Sequence, residues 1–184
     1  MKREKQPVSP LSREGHWPAW IPDAIWAPLV AGGLILIAGL LGLLAGQVWL
    51  FPSLAPTAFL QAENPELPAS RFYNVVVGHL IGLGSGFCAV AVLNAWQAPS
   101  VLASHQLTPV RVWVAVIAVA LTVLILLLLR ASHPPAGATT LLVALGALQT
   151  KTDALNIIVG VLIIAAAGEM LRLIRLGKMR PNKS

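Results

Sequence analysis

Four long apolar runs organise the chain, at residues 28–50, 74–96, 110–129 and 154–174. Each is about 20 residues long, enough at 1.5 Å per residue to cross about 30 Å of hydrocarbon as a helix. Tryptophans stand near their ends, as interfacial aromatics do. Trp26 and Trp49 bracket the first run, and Trp96 and Trp113 flank the connection through Pro99 and Pro109. Two further apolar pieces, residues 52–62 and 136–148, make helices of about 16 and about 20 Å, too short to span. Each follows a long run, opens on proline and small residues, and precedes a polar loop and another long run. The order span, short piece, span therefore occurs twice, with "PSLAPTAFL" echoing "HPPAGATTLL". The pattern predicts an all-α membrane protein with four transmembrane helices plus two short re-entrant or half helices, read as a duplicated helix–half-helix–helix unit.

Composition agrees with a lipid setting. The chain is 57% hydrophobic and 11% charged, with a mean hydropathy of +0.76, whereas soluble domains carry about 25% charged residues. Nine of the thirteen Lys and Arg residues lie in the two tails (Lys2, Arg3, Lys5, Arg13; Arg172, Arg175, Lys178, Arg180, Lys183). Basic flanks beside apolar spans follow the positive-inside rule, so both termini are expected in the cytoplasm and nucleic acid is not an expected partner. Counting charges does not decide how the short pieces run. With four spans, ten basic residues lie inside and Arg71, Arg130 and Lys151 outside; if both short pieces cross, the split is eleven to two. Length favours the re-entrant arrangement.

The organisation is then a basic, Pro/Trp-rich cytoplasmic and interfacial segment at 1–27, a transmembrane domain at 28–176 and a basic tail at 177–184. The N-terminus lacks the apolar stretch and cleavage site of a secretory signal. Gly39, Gly42 and Gly46 in the first span and Gly78, Gly82 and Gly86 in the second recur at three- or four-residue spacing, which lets helix backbones approach closely in lipid. The single cysteine, Cys88, reads as helix packing.

Residues able to carry chemistry gather at the breaks. Before the second short piece stand Arg130, Ser132 and His133, with Ser132 a candidate N-cap and Pro134 or Pro135 a first helical residue. The N–H groups of Gly137, Ala138 and Thr139 would then be the free donors of a helix N-terminus, a ready anion site. Arg130 adds a bidentate donor fork and His133 a group that donates, accepts or changes charge near neutral pH. Ser53 and Thr57 hold similar places around Pro52 and Pro56. In the second span Asn74 and His79 sit near its start, and an intramembrane histidine has to face protein or water. Paired, proline-interrupted short segments are where transporters bind their substrates. Glu169 and Arg172, three apart, suggest a local ion pair. The four histidines (His16, His79, His105, His133) form no metal-ligand spacing, and no phosphate loop or nucleophile elbow appears, so no metal, cofactor or enzymatic activity is expected.

"SHPPAGATTLL", residues 132–142, preceded by Arg130, resembles the signature of the HPP family of integral membrane proteins. "NVVVGHLIG" (residues 74–82) and "PSLAPTAFL" (residues 52–60) are similar to two other segments of that family. The resemblance covers roughly residues 28–175. It implies four transmembrane helices and, because plastid and cyanobacterial relatives are implicated in nitrite transport, a bacterial inner-membrane transporter or channel for a small inorganic anion, nitrite first. One departure is clear: Tyr73 stands where relatives carry arginine before the Asn, and Arg71 lies three residues before Asn74. A non-transporting membrane scaffold or partner subunit is the alternative. A homo-oligomer is expected from the small size and few spans.

Overall fold

The computed structural model describes residues 21–177. Seven helices are present there: α1 (Asp23–Ala45), α2 (Leu54–Glu63), α3 (Phe72–Val92), α4 (Val101–Ser104), α5 (Pro109–Leu128), α6 (Ala136–Ala144) and α7 (Lys151–Arg175), with a 3₁₀ turn at Pro68–Ser70 before α3. Four of them, α1, α3, α5 and α7, are long and apolar enough to cross a membrane. Their outer faces stay uncovered: Leu43 and Leu44 are 80% and 86% exposed. Lipid, not water, suits such a surface.

The boundaries have local causes. α1 starts at Asp23, not at Pro28, which lies inside it. Pro28 removes a single backbone donor near the helix start, a defect that membrane helices tolerate. The helix stops at Gly46, whose left-handed φ of 61° lets the Gln47 N–H fold back on the Gly42 carbonyl at 2.9 Å. α7 gains a turn over the expected start at Ala154 because Thr150 and Asp153 form a capping box. Of the cytoplasmic and interfacial segment expected at residues 1–27, the part up to 20 lies outside the described residues, and 23–27 already belongs to α1.

Contacts at the two ends of the bundle fix how the chain runs. At one end the Arg175 guanidinium donates to Asp23 at 2.5 Å, joining the end of α7 to the start of α1. α3 begins at this same end. Its Phe72 N–H donates to Glu169 at 3.0 Å, and Arg172 reaches the Pro65 carbonyl at 3.0 Å. The expected Glu169–Arg172 pair is present, at 2.7 Å. At the opposite end, Arg111 in the first turn of α5 donates to the carbonyls of Ala98, Pro99 and Ala144. Thus α1 and α3 start at one end, and the chain between them returns through the bundle.

The return runs along residues 47–63, past Gly42 and Gly39 of α1 and then down α7, with Leu54 at Gly160 and Gln61 at Gly168. α6 does the same on α3: His133 lies at Gly78, Ala136 and Thr140 at Gly82, and Val143 at Gly86. The short helices therefore do not turn back to the end they came from: of the two forms expected, re-entrant or half helix, they take the half-helix one. Residues outside the helix advance about 3.3 Å each when extended, against 1.5 Å in a helix, so a half-helix with its flanks covers the distance. Each half-helix packs on the long helix before it and on the last long helix of the other unit, α2 on α1 and α7, α6 on α5 and α3. The duplicated order of elements thus becomes an exchange of half-helices.

The glycine expectation separates by helix. On α3, a Cβ at Gly78, Gly82 or Gly86 would lie 2.6–2.7 Å from an atom of the α6 segment. On α1 only Gly42 is crowded, by the returning chain, while Gly46 ends the helix. Cys88, expected in helix packing, is exposed.

Candidate functional site

The α2 and α6 half-helices deliver their first turns to one place beside α3. Gly78 is what makes this possible, because a Cβ there would stand 2.7 Å from the Cβ of His133. The next residue, His79, then points between the two half-helices. Thr57 Oγ1 lies 2.9 Å from His79 Nε2 and 3.2 Å from His133 Nε2. His79 Nδ1 lies 2.7 Å from Thr139 Oγ1, and His133 Nδ1 lies 2.8 Å from the Ala69 carbonyl. The two imidazoles stand 5.1 Å apart, tilted by 59°. Thr57, His79, His133 and Thr139 are all buried.

With both rings neutral, the bonding pattern assigns every proton. The Ala69 carbonyl only accepts, so His133 Nδ1 carries hydrogen and its Nε2 is bare. That bare nitrogen accepts from the Thr57 hydroxyl. Thr57 Oγ1 then accepts from His79 Nε2–H, and His79 Nδ1 accepts from Thr139. The result is a directed chain, Thr139 to His79 to Thr57 to His133 to Ala69. Among the described residues no carboxylate bonds to either imidazole: Asp23 and Glu169 pair with Arg175 and Arg172, and Asp153 caps α7.

The other expected residues divide. Asn74 ties the segment down by donating to the Ser132 carbonyl at 3.1 Å, although the Ser132 residue itself is exposed. Ser53 is buried in the α2 turn, and its hydroxyl has no hydrogen-bond partner; its carbonyl lies 3.3 Å from Thr57 Oγ1. Ser132 does not cap α6, because Pro135 holds the N-cap position. The expected free donors of Gly137 and Ala138 are also engaged, bonding to the carbonyls of Pro134 and Pro135 at 3.0 and 3.1 Å. Tight turns at the double proline satisfy these groups internally, as a buried helix end requires. Thr139 contributes its side chain instead. Arg130 stands apart, exposed, with a left-handed φ of 51° at the turn that ends α5. Its place is set by helix termination: the Ala131 N–H folds back on the Leu126 carbonyl at 3.0 Å.

Four contributors were not singled out by sequence. The Ala69 carbonyl closes the chain and has no side-chain signal. Thr140 and Thr122 bond at 2.9 Å one step further along α6; a lone threonine inside the apolar α5 was the available clue to Thr122. Arg111, fully enclosed by carbonyls at the far end, was visible as a cation in a span. Between the half-helices lies an open groove of about 460 Å³, lined by Pro56, Phe59, Leu60 and Glu63 on one side and Pro134, Pro135 and Ala138 on the other. Among the described residues, no group of three or more His, Cys, Asp or Glu side chains is placed to hold a metal.

Four long apolar helices with two interlocked half-helices, and a polar cluster sealed where the half-helices meet, define a multi-pass membrane protein of the broken-helix kind. The chain belongs to the HPP family: it matches the family described as "HPP, transmembrane region" over residues 18–176. Neither a curated protein nor a solved structure matches it.

Proposed function

We propose that the protein carries a small inorganic anion, nitrite first, across a bacterial inner membrane, with the start of α1 and the end of α7 on the cytoplasmic side. The observation that carries this reading is the convergence of both half-helix starts on a paired-histidine cluster within an apolar bundle. Buried polar groups at such depth are costly and mark pathways in membrane proteins, and transporter sites lie where repeats meet. The cluster holds hydroxyl and imidazole donors and no bonded carboxylate, which suits a small anion. Thr57, His79, His133 and Thr139 are the substrate-binding groups, with Ser53 beside them. Asn74 and Ser132 hold the His133 segment, the turn through Gly137 and Ala138 presents Thr139, and Arg130 meets the arriving ion at the surface. The charge bias supports the orientation: with six passages, Arg71 and Arg130 join the tails, leaving Arg111 and Lys151 opposite. A homo-oligomer in the bilayer is part of the proposal, checked by light scattering of the purified protein.

Purified protein in liposomes is expected to take up nitrite faster than protein-free liposomes, and Thr57→Val to abolish the difference. Equal rates with and without protein would overturn the reading. One observation favours a second one, a non-transporting scaffold: the four central side chains satisfy each other without a ligand. That reading predicts no flux of any small anion and a stoichiometric partner in pull-downs.

A further inference from the structure

The hydrogen-bond chain has one member with a choice. Thr57 has a single hydroxyl hydrogen, yet two acceptors lie in reach: His133 Nε2 at 3.2 Å and the Ser53 carbonyl at 3.3 Å. If the hydrogen turns to Ser53, His133 Nε2 faces an oxygen with no hydrogen between them, and must carry its own. Because Nδ1 already donates to Ala69, His133 is then an imidazolium. His79 lacks this freedom: protonating its Nδ1 displaces the Thr139 hydrogen, for which the described residues supply no second bonded acceptor.

The groups facing His133 decide when the charged form is populated. α2 presents the Thr57 and Ser53 oxygens, α3 presents neutral Asn74 and the His79 ring, and the 3₁₀ turn presents the Ala69 carbonyl. The start of α6, three residues on, brings the positive end of a helix dipole. No carboxylate among the described residues bonds to either ring; Glu63 of α2 lines the groove between the half-helices. A lone imidazolium here has no counter-charge, and an unpaired buried charge is disfavoured. An anion in the cluster supplies the missing charge.

We propose that this site takes up one proton with each anion, that the proton resides on His133 Nε2, and that the Thr57 hydroxyl switches between His133 and the Ser53 carbonyl. This rests on the anion-site reading above and makes the bound pair electrically neutral. Release of the anion leaves the imidazolium uncompensated, so the proton leaves too and Thr57 turns back.

Calorimetric titration of the full-length detergent-purified protein with sodium nitrite, in buffers of different ionisation enthalpy, counts protons taken up per anion bound. The wild type is expected to take up one, with nitrite affinity rising about tenfold per unit fall in pH while the empty site is neutral. His133→Gln is expected to bind nitrite with no proton uptake and a flat pH dependence. His79→Gln is expected to bind more weakly and still take up one proton per anion. Nitrite binding by the wild type with no proton uptake overturns this inference and leaves the anion site standing, as does uptake lost in His79→Gln and kept in His133→Gln. No nitrite binding by folded wild-type protein overturns the anion site and this inference with it.

Discussion

The two half-helices occupy equivalent places and do different chemistry. α2 lies between α1 and α7, and α6 between α5 and α3, each on the last long helix of the other unit. Yet α2 brings two hydroxyls, Ser53 and Thr57, whereas α6 arrives with His133 and Thr139. Their fits differ as well. α6 and the His133 ahead of it press against three glycines of α3, while the α2 segment meets Gly160 of α7 through the Trp49 carbonyl and Leu54, and Gly168 through the flexible end of Gln61. The two units share an order of elements and differ in the side chains they bring. One half supplies an imidazole, and the other supplies the hydroxyl that bonds to it.

This contrast can be broken at its centre. Thr57→Val keeps the shape and removes the oxygen shared by both imidazoles, leaving two buried nitrogens without a partner. Each such loss costs about 1–3 kcal/mol, so thermal unfolding in detergent should fall clearly and nitrite uptake should vanish. The fit is next. Gly82→Ala places a Cβ 2.7 Å from the Ala136 carbonyl oxygen, and overpacking against rigid backbone costs about 1–3 kcal/mol. Gly168→Ala meets a side chain that can move, so its melting temperature should drop less. An equal drop would mean that the two half-helices are held alike.

Ser53→Ala sharpens the comparison from the other side. The Ser53 hydroxyl is buried without a partner, so its removal should leave stability unchanged or slightly higher. Nitrite uptake should nevertheless slow if that oxygen waits for the anion. The smallest effect is expected at Arg130, exposed at the end of α5. Arg130→Ala should slow uptake only at low ionic strength, because a surface charge acts through a screened field. A loss that persists in high salt would instead place the guanidinium at the bound ion.

Much of this was legible in the residues. The four long helices, the two short pieces and the candidates Thr57, His79, His133 and Thr139 were readable from apolar run length, from the proline breaks and from histidines in unfavourable places; the short α4 was not. Missing were the features set by geometry rather than residue type. Run length alone favoured re-entrant pieces, because it counted helical rise and not the extended chain of residues 47–53. The free donors expected of Gly137 and Ala138 are consumed by the double-proline turn, since a buried helix start cannot leave them open. Arg130 looked like a ligand by charge, but the left-handed turn carries it to the surface. The capping box that lengthens α7 was written in Thr150 and Asp153 and needed only to be looked for.

The central claim, that the imidazole pair shared by the two half-helices is an anion site, is most directly tested by nitrogen NMR of protein labelled at histidine. Sodium nitrite should move the His79 and His133 ring signals along a saturable curve and leave exposed His105 in place. Ring signals of His79 and His133 that stay fixed at saturating nitrite would contradict it.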